Sequence, residues 1–275
     1  MEEGYRNIFH VMKTEHGIDL SVFDSSFILN SIEKRVAKVN CSSVAGYETL
    51  IAQDSGEPQN LINEVLIGHT LFFRNPLTFS VLEQVILPEI IYNNRNKKYK
   101  EIRIWSAACA EGQEAYSMAI VIEELNSEKE KIAYRILGTD QHDKHIRKAK
   151  MGEYSVDSIA NVSFKQIKRW FIQNDHSFSV LPELKGKVEF SVFDLFSEQY
   201  STPPESIFGG FDIVFCANLL FYYKPKYQKI IIDKISGSLA NNGFFITGET
   251  ERHILKNFKF KEVYPHSAIF KMERR

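Results

Sequence analysis

The chain has 275 residues, of which 44% are hydrophobic, so it is long enough to bury a sizeable core in one or two domains. Its 34 basic and 35 acidic side chains leave a net charge of −1, which excludes the overall positive field of proteins that bind nucleic acid or anionic membranes. Three widely spaced cysteines and the lack of CxxC or HExxH motifs argue against a disulfide framework and against a metal site.

The first part of the chain predicts a small helical domain over residues 1–60. Apolar spacing indicates helices over residues 5–16, 20–39 and 44–52, followed by a connection over 53–59. Further helices are predicted over 61–67 and 77–91, before a polar loop at 93–100. No apolar run is long enough for a membrane span and the opening residues do not form a signal peptide, so we expect a cytoplasmic protein without membrane insertion.

From residue 102 onward strands and helices alternate, which predicts an α/β fold with a parallel sheet covered on both faces. The predicted strands are 102–105, 134–139, 187–192, 211–216, 243–248, 258–264 and 268–271, and the predicted helices are 113–125, 144–150 and 225–239. The stretch 152–186 breaks this alternation and predicts a small inserted antiparallel subdomain, with strand signals near Tyr154, Phe178 and Val188. The last two strands predict an antiparallel hairpin at the sheet edge, which is common in S-adenosylmethionine-dependent methyltransferases.

The segment IWSAACAEGQEAYS at residues 104–117 predicts a strand, a tight turn and a helix. Small residues, including Ala108 and Gly112, allow the backbone to approach a ligand, and the helix start offers unpaired N–H groups. Asp140 ends the next predicted strand, where an acid can bind both hydroxyls of a ribose. The spacing therefore favours a nucleoside-type cofactor; the alternative is an ordinary strand-to-helix turn with a solvated acid.

Five segments, in chain order, resemble CheR-type chemotaxis receptor methyltransferases: HTLFFRNPLTF (69–79), IWSAACAEGQEAYSMAI (104–120), ILGTDQHDKHIRKAKMGEY (136–154), FDIVFCANLLFYY (211–223) and GFFITGETE (243–251). The resemblance implies a Rossmann-like, mostly parallel seven-stranded sheet in a methyltransferase domain over 61–275, preceded by the helical domain. It also implies S-adenosylmethionine as cofactor, S-adenosylhomocysteine as product and receptor glutamates as methyl acceptors. In this family the inserted subdomain can bind a peptide by adding a strand to its edge.

The resemblance also assigns site residues. Glu114 matches the acid that binds the cofactor's amino group, Asp140 the acid that binds its ribose, and Asp194 with Leu195 the pair beside its adenine. Thr70, Arg74 and Asn218 match further cofactor contacts, and Arg74, Asn218 and Tyr222 match the catalytic positions, with the acceptor carboxylate held between Arg74 and Tyr222. A glutamate acceptor is already ionised at neutral pH, so transfer needs positioning and a dry pocket rather than a general base.

This chain departs from the family pattern at two places that concern the acceptor. Ala217 stands where an arginine is usual, and near one face of the second helix only Lys34, Arg35 and Lys38 are basic. The expected partner is the cytoplasmic domain of a receptor or another acidic helical protein, with no nucleic acid, and the chain is expected to be a monomer. Two alternatives stay open: a cofactor-binding scaffold or sensor with weakened catalysis, and a methyltransferase for another carboxylate. The histidines at positions 69, 142, 145 and 266 are expected on the surface without an acid–base partner.

Overall fold

The computed structural model describes residues 3–66, 70–95, 101–126, 131–206 and 210–273. The helices within them are α1 Glu3–Thr14, α2 Ser25–Lys38, α3 Val44–Gln53, α4 Glu57–Val65, α5 Pro76–Val81, α6 Leu87–Asn94, α7 Gln113–Leu125, α8 Asp143–Met151, α9 Phe164–Trp170, α10 Pro182–Lys185, α11 Pro225–Ser238 and α12 Arg252–Leu255. The strands are β1 Ile102–Ala107, β2 Tyr134–Asp140, β3 Glu153–Ser155, β4 Phe171–Gln173, β5 Ser177–Val180, β6 Val188–Val192, β7 Phe211–Cys216, β8 Leu239–Thr247, β9 Phe260–Glu262 and β10 Ile269–Met272.

The chain divides into two compact units. A helical unit takes the described residues up to 66 together with 219–229, and a sheet unit takes those from 70 to 218 and from 230 onward. The boundaries of independently folding domains stay a prediction. In the described part of the chain, no helix is long and apolar enough to cross a membrane.

In the helical unit, two side-chain caps divide the predicted helix over 20–39. Asp19 accepts the amide of Ser21 at 2.9 Å and Asp24 accepts the amide of Ser26 at 2.9 Å. Each carboxylate accepts a backbone N–H that has no partner within its own helical turn. The caps therefore start two separate segments, a short 3₁₀ turn over Leu20–Val22 and then α2. The predicted connection over 53–59 is also longer than the observed one, because α4 already begins at Glu57. Pro58 is tolerated there, since the first turn of a helix does not need its N–H.

A buried ion pair joins α2 to α4. The Arg35 guanidinium donates to both carboxylate oxygens of Glu57, at 2.8 and 2.6 Å, and the Tyr47 hydroxyl donates to Glu57 Oε1 at 2.7 Å. All three side chains are buried, so Arg35 does not belong to an exposed basic face of α2. Lys34 and Lys38 are exposed. The face of α2 that was predicted to be basic therefore exposes less positive charge than its sequence indicated.

The sheet unit contains a seven-stranded sheet in the order β6-β2-β1-β7-β8-β10-β9. The first five strands pair in parallel, and β10 runs antiparallel to β8 and β9. The predicted α/β fold, its mostly parallel sheet and its terminal hairpin are confirmed. From β1 the chain moves outward to β2 and β6, and it then returns to β7 beside β1. Ligands of such sheets bind where the strand order reverses, beyond the carboxyl ends of the strands.

A second, three-stranded antiparallel sheet has the order β3-β5-β4 and lies within the predicted insertion. Tyr154 and Phe178 face each other in it as a register pair. Val188 instead begins β6, the edge strand of the large sheet, where it pairs with Ile136. The strand signal at Val188 therefore belongs to the large sheet, and whether 152–186 forms a separate subdomain stays a prediction.

The predicted helix over 77–91 contains a wide turn. Residues Leu82–Ile86 form a π-helical turn between α5 and α6, and the amide of Leu87 donates to the carbonyl of Leu82. Pro88 explains this turn, because proline has no N–H and cannot continue a regular helical ladder. The spacing of apolar residues in the sequence does not reveal that a single turn of the helix contains one extra residue.

Changing Glu57 tests the ion pair. Burial alone would raise the pKa of Glu57, but hydrogen bonds from Arg35, Tyr47 and Asn60 outweigh it and hold the pKa below its ordinary value. The pair therefore stabilises the fold above that value, and its contribution is lost as pH falls through the lowered pKa. Glu57→Gln should cost about 3 kcal/mol or more at pH 7, because it leaves a buried guanidinium without its counter-charge.

The control for this experiment is Glu64→Gln on the same helix, where Glu64 lies 3.6 Å from the exposed Lys38. We expect that change to cost less than about 1 kcal/mol. Urea unfolding at pH 7 and pH 4 measures both variants, and equal losses for the two would contradict a structural role for the buried pair.

Candidate functional site

The turn between β1 and α7 is held tightly against the end of β2. Ala108 and Cys109 donate their amides to the Thr139 carbonyl at 2.9 and 2.8 Å. Within the turn Ala108 and Ala110 have φ of 123° and 46°, in the left-handed region that side chains disfavour. Such strain persists where the surroundings impose it, and it is found most often at ligand sites.

Gly112 ends this turn and cannot be replaced without strain. Its φ is 93°, and an added Cβ would lie 2.9 Å from Ala149 Cβ and 2.9 Å from the Phe190 ring. A glycine is therefore required where the turn before α7 packs against α8 and β6. The predicted role of Gly112 as the turn residue has a structural reason, and its contact with a cofactor stays a prediction.

Glu114 lies in the first turn of α7 and is partly buried. Ser106, in β1, donates its hydroxyl to Glu114 Oε1 at 2.6 Å. Burial raises the pKa of Glu114 to about 7, the hydroxyl of Ser106 and the charge of Arg74 oppose this rise, and Glu251 adds to it. A carboxylate that is half protonated at neutral pH becomes fully ionised when a cation binds beside it.

Arg74 follows a segment that is fixed to α7. Phe72 and Phe73 are buried, and the amide of Phe73 donates to the Ser117 hydroxyl at 3.0 Å. Arg74 itself is exposed, and its charge acts on Glu114. Thr70, at the start of the same segment, is half-buried.

Asp140 is buried at the end of β2 and accepts several hydrogen bonds. Its Oδ2 accepts the Ala110 amide at 3.1 Å, and its Oδ1 accepts the His142 amide at 2.9 Å and lies 3.2 Å from His145 Nδ1. A carboxylate offers about four acceptor positions, and the contacts made by the described residues use three, so they leave one for a ligand hydroxyl. Beyond β6, the Phe193 amide donates to the Asp140 carbonyl at 3.0 Å.

The histidine at position 145 was predicted to lack an acidic partner, and this prediction is wrong. One turn of α8 brings His145 onto Asp140, a contact that depends on the start of that helix. His142 is half-buried, His266 Nδ1 lies 3.1 Å from a guanidinium nitrogen of Arg252, and His69 lies outside the described residues.

Asp194 and Leu195 differ in their exposure. Leu195 is buried, whereas Asp194 is exposed and accepts the Phe196 amide at 2.8 Å through Oδ1. Asp194 therefore stabilises the turn after β6. Its predicted contact with adenine stays a prediction.

Asn218, two residues beyond β7, is fixed by an acid that the sequence analysis did not single out. Asn218 has φ of 60°, and its backbone N–H donates to Glu251 Oε2 at 2.7 Å. The Gly248 amide donates to the same oxygen at 2.8 Å. Glu251 is completely buried, while Glu249, two residues earlier, is exposed. The segment GFFITGETE contained the signal, but the strand pattern alone does not tell which of its acids points inward.

The sheet unit thus contains most of the predicted site residues: Thr70, Arg74, Ala108, Gly112, Glu114, Asp140, Asp194, Leu195 and Asn218. Tyr222 belongs to the helical unit. There its carbonyl accepts the Asp24 amide at 2.7 Å, and its buried ring packs edge-on against Phe27 at 5.2 Å between centroids. Among the described residues, no group of three His, Cys, Asp or Glu side chains is arranged to hold a metal ion.

Comparison with known proteins gives consistent matches. The family model for the CheR methyltransferase, SAM binding domain, matches residues 68–268. Chemotaxis protein methyltransferase 1 of Pseudomonas aeruginosa is 32% identical over 204 residues, which cover 72% of this chain and 71% of that protein. A chemotaxis protein methyltransferase of Listeria innocua is 26% identical over 252 residues, which cover 92% of this chain and 91% of the relative.

The chemistry of the site residues fits S-adenosylmethionine. This molecule carries an ammonium, a sulfonium and a ribose diol. Glu114 and Glu251 provide negative charge at the ends of β1 and β8, and Asp140 keeps an acceptor position at the end of β2. The role of each residue stays a prediction.

The pKa of Glu114 predicts a pH-dependent cofactor affinity. If the cofactor's ammonium binds ionised Glu114, affinity should rise with pH through about 7 and level off above it. A single proton with this pKa makes binding roughly tenfold weaker at pH 6 than at pH 8. Glu114→Gln should weaken binding at pH 8 and flatten the profile, as measured by isothermal titration.

The matched control is Glu124→Gln, at the other end of the same helix, where Glu124 accepts a hydrogen bond from Gln166. That variant should keep the wild-type affinity and its pH profile. A pH-dependence that survives in Glu114→Gln would show that another group binds the ammonium.

Proposed function

Because the chain belongs to the CheR methyltransferase family, we propose that it transfers the methyl group of S-adenosylmethionine to a glutamate carboxylate of a chemoreceptor. The product from the cofactor is S-adenosylhomocysteine. The observation that best supports the proposal is the group of acids at the carboxyl edge of the parallel sheet: Glu114, Asp140 and Glu251. Acids suit a cofactor with two cationic groups and a diol.

The residues of the chain position the reactants. S-adenosylmethionine, when bound, supplies a methyl group activated by a sulfonium. Glu114 holds the ammonium, Asp140 holds the ribose, and the backbone at Ala108 and Gly112 approaches the ligand closely. Asp194 and Leu195 border the adenine, and Thr70 and Asn218 complete the cofactor contacts.

The acceptor carboxylate needs no general base, since an ordinary glutamate is ionised at neutral pH. Arg74 orients this carboxylate, because a guanidinium offers two parallel donors that match two carboxylate oxygens. Ala217 takes the place of the family's usual arginine, so orientation depends more strongly on Arg74. Tyr222 matches the family's active-site tyrosine and contributes to transfer.

The partner is the cytoplasmic domain of a receptor, and the protein acts in the cytoplasm as a monomer. Residues 1–60 form the helical domain and 61–275 the methyltransferase domain, with 152–186 as its inserted subdomain. The names of the relatives support a chemotaxis role.

A second candidate is a methyltransferase for another carboxylate acceptor. Two observations favour it: Ala217 lacks the usual cation, and Arg35 is buried against Glu57 rather than exposed on α2. Both reduce the positive charge that an acidic receptor helix would meet.

The proposed reaction is tested with S-adenosylmethionine labelled in its methyl group and purified cytoplasmic fragments of candidate receptors. We expect label on the receptor that is released as methanol by mild base, because methyl esters hydrolyse there and amines and thioethers do not. Fragments with their acceptor glutamates changed to glutamine are the control. Label that appears on small carboxylic acids but on no receptor fragment would favour the second candidate.

Arg74→Ala should lower single-turnover methyl transfer by roughly a hundredfold or more, equivalent to about 2.7 kcal/mol of transition-state positioning. Arg74→Lys should also be slow, because lysine lacks the planar fork. Since Arg74 lowers the pKa of Glu114, the rates are compared at pH 8.5 with saturating cofactor.

These conditions separate acceptor positioning from cofactor binding. Arg95→Ala, at an exposed position after α6, removes the same charge and should leave the rate unchanged. A wild-type rate in Arg74→Ala would remove the proposed carboxylate contact.

A further inference from the structure

Three donors occupy the carboxylate of Asp140 at the end of β2. Its Oδ2 accepts the Ala110 amide at 3.1 Å, and its Oδ1 accepts the His142 amide at 2.9 Å. The third donor is a side chain, since His145 Nδ1 lies 3.2 Å from the same Oδ1. A carboxylate only accepts, so Nδ1 of this imidazole carries the proton. Both side chains are largely shielded from water, with 9% of Asp140 and 25% of His145 exposed.

The two oxygens of Asp140 are filled unequally. Each carboxylate oxygen offers about two acceptor positions. In the described part of the chain, Oδ1 uses both for His142 and His145, whereas Oδ2 uses one for Ala110. A ribose presents its two hydroxyls side by side, and a carboxylate binds such a diol with one hydroxyl at each oxygen. With all three donors in place, Asp140 accepts only one of the two hydroxyls.

Of the three donors, only His145 can leave without a change of the backbone. The Ala110 amide belongs to the turn after β1, where that residue has φ of 46°. The His142 amide lies at the N-terminal cap of α8, which begins at Asp143. Release of either amide would require that turn or that helix start to rearrange. His145 needs only a side-chain rotation, which is fast and leaves α8 intact.

Exchange of one donor for another at Oδ1 gains little free energy. A hydroxyl that met an empty acceptor position would raise affinity roughly threefold to tenfold, the range of one net hydrogen bond. A hydroxyl that must first displace His145 loses most of this gain, because the imidazole gives up its own bond to Asp140. A ligand without that hydroxyl leaves His145 in place and loses nothing at Oδ1.

We propose that His145 is a specificity-determining residue: it holds the position on Asp140 that one ribose hydroxyl needs, leaves when the diol binds, and so weakens the selection of the site for the complete ribose. The inference rests on the proposed use of S-adenosylmethionine with its ribose at Asp140. It concerns the ribose alone, which S-adenosylmethionine and S-adenosylhomocysteine share.

Isothermal titration with S-adenosylhomocysteine and with its 2′-deoxy and 3′-deoxy analogues tests the proposal. All titrations are made at pH 8.5, above the pKa of about 7 of Glu114. The wild-type protein should bind one of the two analogues within about twofold of the parent molecule, because that analogue leaves His145 in place. His145→Ala should bind the parent roughly threefold to tenfold more tightly and should lose a similar factor with each analogue.

Two further variants separate the hydrogen bond from packing. His145→Phe keeps a ring at this position and removes the N–H donor, so it should behave like His145→Ala. It also keeps the test decisive if His145→Ala fails to fold, as monitored by circular dichroism. Lys144→Ala, an exposed change at the neighbouring position of α8, should leave all three affinities at their wild-type values.

Nuclear magnetic resonance of the wild-type protein with ¹⁵N-labelled histidine observes the displacement directly. The signals of His145 are assigned by their absence in His145→Phe. They should show the proton on Nδ1 in the free protein, and this hydrogen-bonded form should disappear on saturation with S-adenosylhomocysteine. It should persist with the analogue that binds within about twofold of the parent. A merely structural role of His145 would leave the form unchanged in every complex.

Weaker binding of S-adenosylhomocysteine by the two His145 variants would overturn the proposal and make His145 a support for Asp140. Unchanged affinities, an Nδ1 proton that persists in the complex, or a wild-type protein that binds none of the three molecules would overturn it as well. The methyl-transfer assays are independent of this result. Displacement of His145 in a protein that methylates no carboxylate would contradict the proposed function and support the role of His145.

Discussion

Buried carboxylates that accept backbone amides at the ends of the parallel strands determine the shape of the site. Asp140 accepts the amides of Ala110 and His142, and Glu251 accepts those of Asn218 and Gly248. Charge-assisted hydrogen bonds of this kind are stronger than neutral ones and hold irregular backbone in one conformation. The left-handed residues beyond β1 and β7 depend on them, since no regular ladder continues past the strand ends. The loops at the sheet edge are therefore ordered by the same type of group that suits a cationic, hydroxyl-bearing ligand.

Concentrating acids at one edge has an electrostatic cost. Glu114 and Glu251 repel each other, burial weakens the hydration of both, and Arg74 offsets this in part at Glu114. In the ligand-free protein the cost is reduced by protonation, which is why the pKa of Glu114 reaches about 7. Perturbed carboxyls of this kind are concentrated at functional sites, because a ligand of opposite charge relieves the repulsion. Binding of a cation and loss of a proton are consequently linked here.

The sequence predicted those parts of the structure that depend on local spacing and failed where distant contacts decide. The strands around Trp105, Leu137 and Val214, the turn at Gly112 and the terminal hairpin follow from apolar periodicity and small residues. The burial of Arg35 depends on Glu57, 22 positions later, and the role of Glu251 depends on an amide 33 positions earlier. Charged side chains look solvent-exposed in a sequence until a partner brought close by the fold neutralises or hydrogen-bonds them. The roles assigned from the family resemblance could be predicted from the sequence only because the family's motifs combine residues that the fold brings into contact.

The wide turn at Leu82–Ile86 has a consequence for how insertions and deletions act in this protein. One residue fewer there would let α5 and α6 continue as a single regular helix, and each residue of such a helix turns the chain by about 100° and advances it by 1.5 Å. The start of α5 would then rotate about the helix axis relative to α6. Arg74 precedes Pro76 by two positions, so its direction of exit would change with that rotation. The phase of this helix therefore contributes to the direction in which the chain leaves toward Arg74, so a single-codon deletion within the helix would act on the site without changing a site residue.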